Sequence, residues 1–313
     1  MTTQQEEIYF GIRGQPFKEL IQGLLRQGKL KPKYISVLTN DKNMLAYGDA
    51  FTAASADAKS NYEIYEQLGD LVVNQFIVWY SLRRFYQLNC PLGVKVLARL
   101  RINYGSKDSL SEIGEELGFW DYISAKFDGP EKNVKYRSRN KKDLLEDCVE
   151  AFIGCTAWLL DQEFRPGVGY AIAYDILASI FDKKDMSLRY TDLYDDKTRL
   201  KELFDSRKNL GNLEYIDTRE EDVAHSSVYQ RAEGSKTKRI TVPSTDGRTV
   251  SNACRIYPAK IVKPGRGWIL LGTGAATRKD KAQQNAAHAA LKSLKRDGIW
   301  KAPPPEYQLF CTE

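Results

Sequence analysis

Two segments of the chain place carboxylates inside apolar helical patterns, and this feature most limits what the sequence can fold into. In NYEIYEQLGDLVV, the residues Glu63, Glu66 and Asp70 follow at spacings of three and four, which puts them on one helix face. About eighty residues further along, Asp147 and Glu150 are three apart and precede an apolar run typical of a buried helix. Carboxylates on two packed helices repel one another, so this pattern needs a physical cause.

A divalent cation is one such cause. Four carboxylates from two helices form a hard, all-oxygen donor set suited to Mg²⁺ or Mn²⁺, which can also hold a phosphodiester. A solvated acidic face with salt bridges is the alternative, and for a single acidic pair it is the commoner case. Both interpretations stay open on the spacing alone.

Histidine and cysteine offer little material for other catalytic sites. The chain has two histidines, His225 and His288, which argues against a histidine-rich metal site or a Ser-His-Asp triad. Its five cysteines are widely spaced and include no C-x-x-C pair, which argues against disulfides and a zinc knuckle. Any metal chemistry is therefore expected to use carboxylates.

The apolar periodicity changes along the chain. Spacings of three and four predict helices through the first 180 residues, followed by the polar stretch DKKDMSLRYTD, which is typical of a linker. Beyond a further helix, short β-rich runs at 241–243, 253–257 and 268–271 precede an Ala-rich helix at 279–294. This order predicts an α-β-β-β-α module, and the Pro-led end of the chain is expected to be extended or disordered.

Charge is distributed unevenly over these two parts. Residues 236–301 contain fifteen Lys and Arg against three acidic residues, a net +12, whereas the whole chain carries +6. Such an excess suits a polyanionic partner, although a solvated basic surface is the alternative. The longest apolar runs are too short to span a bilayer, and the first residues lack the pattern of a secretory signal. The expectation is an intracellular protein without a membrane segment.

The segments EQLGD and EDCVEAFIGC resemble the two signature helices of the ribonuclease III family, in order and spacing. AFTAAS at 50–55 and LGFWDYI at 117–123 resemble further segments of that family. The resemblance implies that Asp70 and Glu150 are catalytic, and that Glu63 lies near a dimer junction. It also implies a set of Mg²⁺ ligands, with Mn²⁺ as a substitute: Glu66, Asp70, Asp147 and Glu150. The chain departs from the family pattern at Ala53, where His is usual, and at Tyr62 and Gln67, where Asn and an aromatic residue are usual.

Residues 195–296 resemble the double-stranded RNA-binding domain, whose first helix is similar to DKTRLKELFDSRKNLGNLEY. This domain reads the shape and 2′-hydroxyls of an RNA minor groove. The segment ATRKDKAQQNAAHAAL resembles its second helix, whose start binds phosphates, but Asp280 and Gln283 stand where lysines are usual. An insertion of about thirty residues precedes this helix. The resemblance implies these RNA-binding residues: Lys201, Glu202, His225, Arg278, Lys279 and Lys281.

Together these resemblances imply an all-α ribonuclease III endonuclease domain at 1–182, a linker at 183–194 and an α+β double-stranded RNA-binding domain at 195–301, followed by a Pro-rich tail at 302–313. The implied activity is Mg²⁺-dependent cleavage of double-stranded RNA by a homodimer, giving 5′-phosphates and short 3′ overhangs. The alternative is a non-catalytic RNA-binding or scaffold protein that keeps the nuclease fold for dimerisation. Retention of all four acidic residues favours the enzyme, since without a metal they would only repel one another.

Overall fold

The computed structural model describes residues 7–127, 140–207, 210–219, 252–258, 270–276, 278–308 and 310. The chain forms two compact units, Met1–Met186 and Ser187–Glu313. No helix among the described residues is long and apolar enough to cross a membrane.

The first unit is helical, as the sequence predicts. Its helices are α1 (Gln15–Gln27), α2 (Pro32–Leu38), α3 (Asp41–Ala50), α4 (Glu63–Arg84), α5 (Gly93–Tyr104), α6 (Lys107–Glu116), α7 (Lys141–Glu163) and α8 (Val168–Phe181). It also contains a small antiparallel sheet that the all-α prediction omits, formed by β1 (Glu7–Tyr9) and β2 (Ala125–Phe127). The two strands are three residues long, too short to leave a periodic signal.

Helix α7 is the centre of this unit. It is buried on most of its circumference between Leu144 and Leu160, and helices α3, α4, α6 and α8 pack around it. A helix that is apolar nearly all round is stable only inside such a shell. The apolar run after Glu150 therefore determines which helix occupies the core.

Two glycines allow α4 and α7 to cross at close range. A Cβ atom at Gly69 would lie 1.8 Å from the Glu150 carbonyl oxygen, and one at Gly154 would lie 2.0 Å from the Tyr65 carbonyl oxygen. No side chain fits at these distances, so glycine is required where the two backbones touch. The crossing places the acidic residues of both helices beside each other.

The second unit follows the predicted α-β-β-β-α order and adds a short helix at each end. Its elements are α9 (Tyr190–Leu193), α10 (Asp196–Ser206), β3 (Leu213–Arg219), β4 (Asn252–Pro258), β5 (Gly272–Ala276), α11 (Lys279–Arg296) and α12 (Pro305–Gln308). The strands pair antiparallel in the order β3-β4-β5, with Tyr215 opposite Ile256 and Ile256 opposite Gly272. The alanines of α11 pack closely on this sheet. The approach is so close that a Cβ at Gly274 would lie 2.2 Å from the Ala286 nitrogen.

The strand predictions are only partly correct. The run at 253–257 is confirmed by β4, whereas the run at 241–243 lies outside the described residues. Of the predicted run at 268–271, residues 268 and 269 lie outside the described residues, and the third strand begins at Gly272. Pairing with β4 and packing on α11 stabilise GTGAA despite its low β-propensity. Strand β3 was missed, although Leu213 and Tyr215 pack on the core in alternation with exposed Glu214 and Ile216.

Part of the end of the chain is helical, whereas the sequence predicts an extended or disordered tail. Helix α12 buries Tyr307, which is 1% exposed. Its ring lies 5.4 Å from that of Tyr190 and 5.6 Å from that of Tyr194, two residues of the segment predicted as a linker. Packing of these three aromatic rings, two of them buried, stabilises both segments within the second unit.

Candidate active site

The crossing of α4 and α7 brings together the four acidic residues that the sequence singled out. Gly69 lies against the backbone of Glu150, so its helical neighbours Glu66 and Asp70 lie next to the acidic edge of α7. Their proximity shows at Glu150, where the charges of Asp70, Glu66 and Asp147 each raise the pKa of the Glu150 carboxyl. Glu146 joins this group, although sequence reasoning did not select it.

Glu150 is the most buried member, with 7% of its surface exposed. Burial raises its pKa to about 8, because ionisation would create a negative charge in the packed interface, away from water. The surrounding carboxylates add to this rise, in the order Asp70, Glu146, Glu66 and Asp147. Glu150 is thus held protonated near neutral pH unless a positive charge is bound beside it.

The other carboxylates are held by specific contacts. Asn74 donates from Nδ2 to Asp70 Oδ1 at 2.6 Å along α4. The Tyr62 hydroxyl donates to Asp147 Oδ2 at 2.7 Å, from the residue preceding α4 to a residue of α7. Burial raises the pKa of Asp147, and the Tyr62 hydrogen bond opposes that rise. Burial also raises the pKa of Glu66, with Asp147 as the largest charged contributor.

These side chains suit a hard divalent cation by their chemistry, since all of the donors are carboxylate oxygens. Across the described parts of the chain, however, three or more such groups do not yet meet closely enough to hold a metal ion. The carboxylates are close enough to raise the pKa of Glu150, but they do not form a closed set of metal ligands. A bound cation would relieve the repulsion that adds to the raised pKa values of Glu66, Asp147 and Glu150.

Glu63 lies next to this group, and its charge adds to the rise in the pKa of Glu66. It is exposed in the first turn of α4, on the side that also carries Ile64, 72% exposed, and Leu71, 67% exposed. Gln67 is exposed between them. An apolar strip on a helix with few apolar neighbours is typical of an interface surface.

Lysines at the rim of the site tie α6 to α7. Lys107 Nζ lies 2.5 Å from Asp143 Oδ1 and 3.4 Å from Glu146 Oε2, which raises the Lys107 pKa. Lys141 lies 2.5 Å from Glu115, and Lys142 pairs with Asp108. Sequence reasoning missed Lys107 and Glu146. Their adjacency depends on packing between helices, so no local spacing signals it.

The residues predicted to bind RNA lie in the second unit, except that His225 falls outside the described residues. Lys201 is exposed on α10. The neighbouring Glu202 accepts hydrogen bonds at Oε2 from the Tyr190 hydroxyl at 2.5 Å and from Lys301 Nζ at 3.0 Å. The Glu202 carboxylate is therefore engaged within the unit.

The three predicted cations Arg278, Lys279 and Lys281 lie at the start of α11, where acidic residues pair with two of them. Arg278 donates to both oxygens of Asp280, at 3.0 and 2.8 Å. Lys279 Nζ lies 3.1 Å from Asp217 Oδ2 on β3, and Lys281 is exposed. The acid at 280 thus pairs with a neighbouring cation in addition to reducing the charge of the helix start.

A family model matches the part of the chain that contains these acidic residues. The Ribonuclease III domain model matches residues 63–162, which span α4 to the end of α7. A protein of Invertebrate iridescent virus 6, provisionally named ribonuclease 3, is 36% identical over 97% of this chain and 96% of its own. A Frog virus 3 protein with the same provisional name is 40% identical over 89% of this chain, which spans 63% of that longer relative. The ribonuclease 3 of Enterococcus faecalis is 29% identical over 85% of this chain and 96% of its own.

Solved structures are also similar to this chain. The nuclease domain of ribonuclease III from Campylobacter jejuni covers 52% of the chain with 96% of its own, at 24% identity and a TM-score of 0.37. Dicer from Pichia stipitis covers 81% of the chain at 16% identity and a TM-score of 0.33. The domain match and the viral relative, which shares 36% identity over nearly its whole length, lead to one conclusion. The chain belongs to the ribonuclease III family and is an endoribonuclease.

Proposed function

We propose that this protein is a Mg²⁺-dependent endoribonuclease that cleaves double-stranded RNA. The observation that carries the proposal is the convergence of two acidic helix edges at the Gly69 contact, where burial and mutual repulsion raise the pKa of Glu150 to about 8. Such an arrangement is costly for the metal-free protein and favourable once a divalent cation is bound. The proposed ligands are Glu66, Asp70, Asp147 and Glu150, with Asp70 and Glu150 as the catalytic pair.

Each residue has a defined part in this mechanism. When bound, Mg²⁺ supplies Lewis acidity toward the scissile phosphodiester. Asn74 holds the Asp70 carboxylate through the 2.6 Å hydrogen bond, and burial holds a proton on Glu150. A cation bound beside Glu150 would displace that proton, so the affinity for Mg²⁺ should rise with pH. The proposed products carry 5′-phosphates and short 3′ overhangs.

We also propose that the enzyme is a homodimer. The exposed apolar strip of Ile64 and Leu71 lies beside Glu63 on α4, and burying it against a second copy would remove apolar area from water. Pairing two copies about a two-fold axis would give two catalytic centres for the two strands of a duplex. Gln67 lies within this strip, so the proposed interface includes a polar side chain.

The second unit is proposed to be a double-stranded RNA-binding domain. Its α-β-β-β-α order and the cations at the start of α11 support this assignment. Lys201, Lys279 and Lys281 are proposed phosphate or minor-groove contacts, together with Arg278, Glu202 and His225. Because Arg278 and Lys279 are paired with acids, we expect weaker phosphate binding than three unpaired cations would give.

The test is cleavage of labelled duplex RNA with and without Mg²⁺, followed by sequencing of the products. Glu150→Gln and Asp70→Asn should abolish cleavage but leave RNA binding nearly intact, because the second unit is unchanged. Glu112→Gln is a matched control, since it removes an exposed carboxylate of α6. Full cleavage by both site variants would refute the metal-site assignment. Duplex binding without cleavage by the unmodified protein would identify a non-catalytic RNA-binding protein instead.

A further inference from the structure

Tyr62 is held rigidly next to the acidic site. Its side chain is buried, with 7% of the residue exposed. Its backbone N–H donates to the Thr52 carbonyl at 3.0 Å, and its carbonyl accepts from the Glu66 N–H at 2.8 Å. The position of the ring is therefore determined by the backbone on both sides and by packing around it.

From this position the Tyr62 hydroxyl donates to Asp147 Oδ2 at 2.7 Å. Hydrogen bonds to carboxylates are short and strong, and this one restrains rotation of the carboxylate about its Cβ–Cγ bond. A carboxylate that is already oriented loses less rotational freedom when it binds a cation. The contact thus prepares one proposed metal ligand before a metal arrives.

The length of the tyrosine side chain is necessary for this contact. The polar atoms of asparagine, the residue that the family pattern usually has here, lie three bonds beyond Cα, whereas the tyrosine hydroxyl oxygen lies six bonds beyond it. Asparagine is too short to reach Asp147 Oδ2 from the same backbone position. The departure at Tyr62 therefore creates a link between α4 and α7 that the usual residue cannot make.

We propose that Tyr62 is a positioning residue of the catalytic centre, whose hydroxyl holds Asp147 in the orientation that binds a divalent cation. The proposal rests on the proposed function, because it takes Asp147 as a metal ligand. Loss of a hydrogen bond to a metal ligand typically weakens metal binding by about 10- to 100-fold. Tyr62→Phe removes only the hydroxyl, so we expect Mn²⁺ binding to weaken by about tenfold.

The test measures Mn²⁺ binding to the full chain by electron paramagnetic resonance, without RNA, and RNA cleavage as a function of Mg²⁺ concentration. Tyr62→Phe should weaken Mn²⁺ binding and raise the Mg²⁺ concentration for half-maximal cleavage. Tyr47→Phe is the control, because the Tyr47 hydroxyl is also buried but lies 3.2 Å from Thr156 Oγ1 instead of a carboxylate. It should lower thermal stability without changing Mn²⁺ affinity.

A double-mutant cycle separates positioning from general stability. In an Asp147→Ala background, Tyr62→Phe should have no further effect on Mn²⁺ affinity, since the side-chain acceptor of the Tyr62 hydroxyl is gone. If Tyr62→Phe weakened Mn²⁺ binding equally in both backgrounds, the positioning role would be overturned. The same conclusion would follow if Tyr62→Phe left the Mn²⁺ affinity unchanged while the unmodified protein binds Mn²⁺ and cleaves RNA. If the unmodified protein neither binds Mn²⁺ nor cleaves RNA, the proposed function itself fails.

Discussion

Glu150→Gln should stabilise the metal-free protein, although it removes a catalytic residue. In the unfolded chain this carboxyl ionises near its ordinary pKa of 4.5, whereas in the folded protein its pKa is about 8. The folded state therefore binds more protons between these two pH values, and stability falls as the pH rises through this window. Glutamine has nearly the same shape and no charge, so the variant escapes this loss.

The gap between these two pKa values corresponds to a ceiling of about 5 kcal/mol. Water at the rim of the site and movement of the neighbouring carboxylates reduce the expected gain at pH 8 to about 1–3 kcal/mol. For a unit of this size that is an increase in Tm of roughly 2–10 °C. Near pH 5 the gain should nearly vanish, because Glu150 is then protonated in the folded protein.

The assay is thermal unfolding in EDTA at pH 5 and pH 8, with near-UV circular dichroism as the signal that reports unfolding. Addition of Mg²⁺ at pH 8 should stabilise the unmodified protein more than the variant, since the cation needs the carboxylate. Glu112→Gln serves again as the exposed control and should leave Tm nearly unchanged. A lower Tm for Glu150→Gln in EDTA at pH 8, or an equal gain at both pH values, would refute the reasoning.

Three further outcomes are expected. Gly69→Ala should lower the Tm of the first unit sharply and weaken Mg²⁺-dependent cleavage, because the added Cβ would lie 1.8 Å from a carbonyl oxygen of α7. The control is Gly23→Ala, where an added Cβ would meet no atom within 4 Å, and thermal unfolding should show it to be neutral or stabilising. Asp280→Lys should release Arg278 from its ion pair and add a cation. Filter binding should then show tighter duplex RNA binding that depends more steeply on salt concentration. An unchanged salt dependence would mean that the start of α11 does not contact phosphates. Tyr307→Ala should destabilise the second unit by about 3 kcal/mol in urea unfolding, since it removes a fully buried ring. An unchanged urea concentration at the midpoint of unfolding would contradict that account.

The sequence was sufficient wherever the signal is local. Carboxylate spacings of three and four predicted which acidic residues share a helix face, and the apolar run after Glu150 predicted a buried helix, which α7 confirms. The excess of cations near the end of the chain likewise indicated where the start of α11 would be basic. Helical periodicity depends on residues within a few turns of one another, so it can be read without knowing the fold.

Only the tertiary structure decided which side chains meet across elements. Tyr62 and Asp147 are 85 residues apart, and their hydrogen bond exists because α4 and α7 cross at Gly69. In the same way Asp217 pairs with Lys279 only because β3 lies beside the start of α11. The high pKa of Glu150 arises from burial between helices and from charges on both of them, and neither quantity is encoded in a local pattern. Local spacing places an acid on a face, whereas packing sets its distance to other charges and to water, and these distances determine its chemistry.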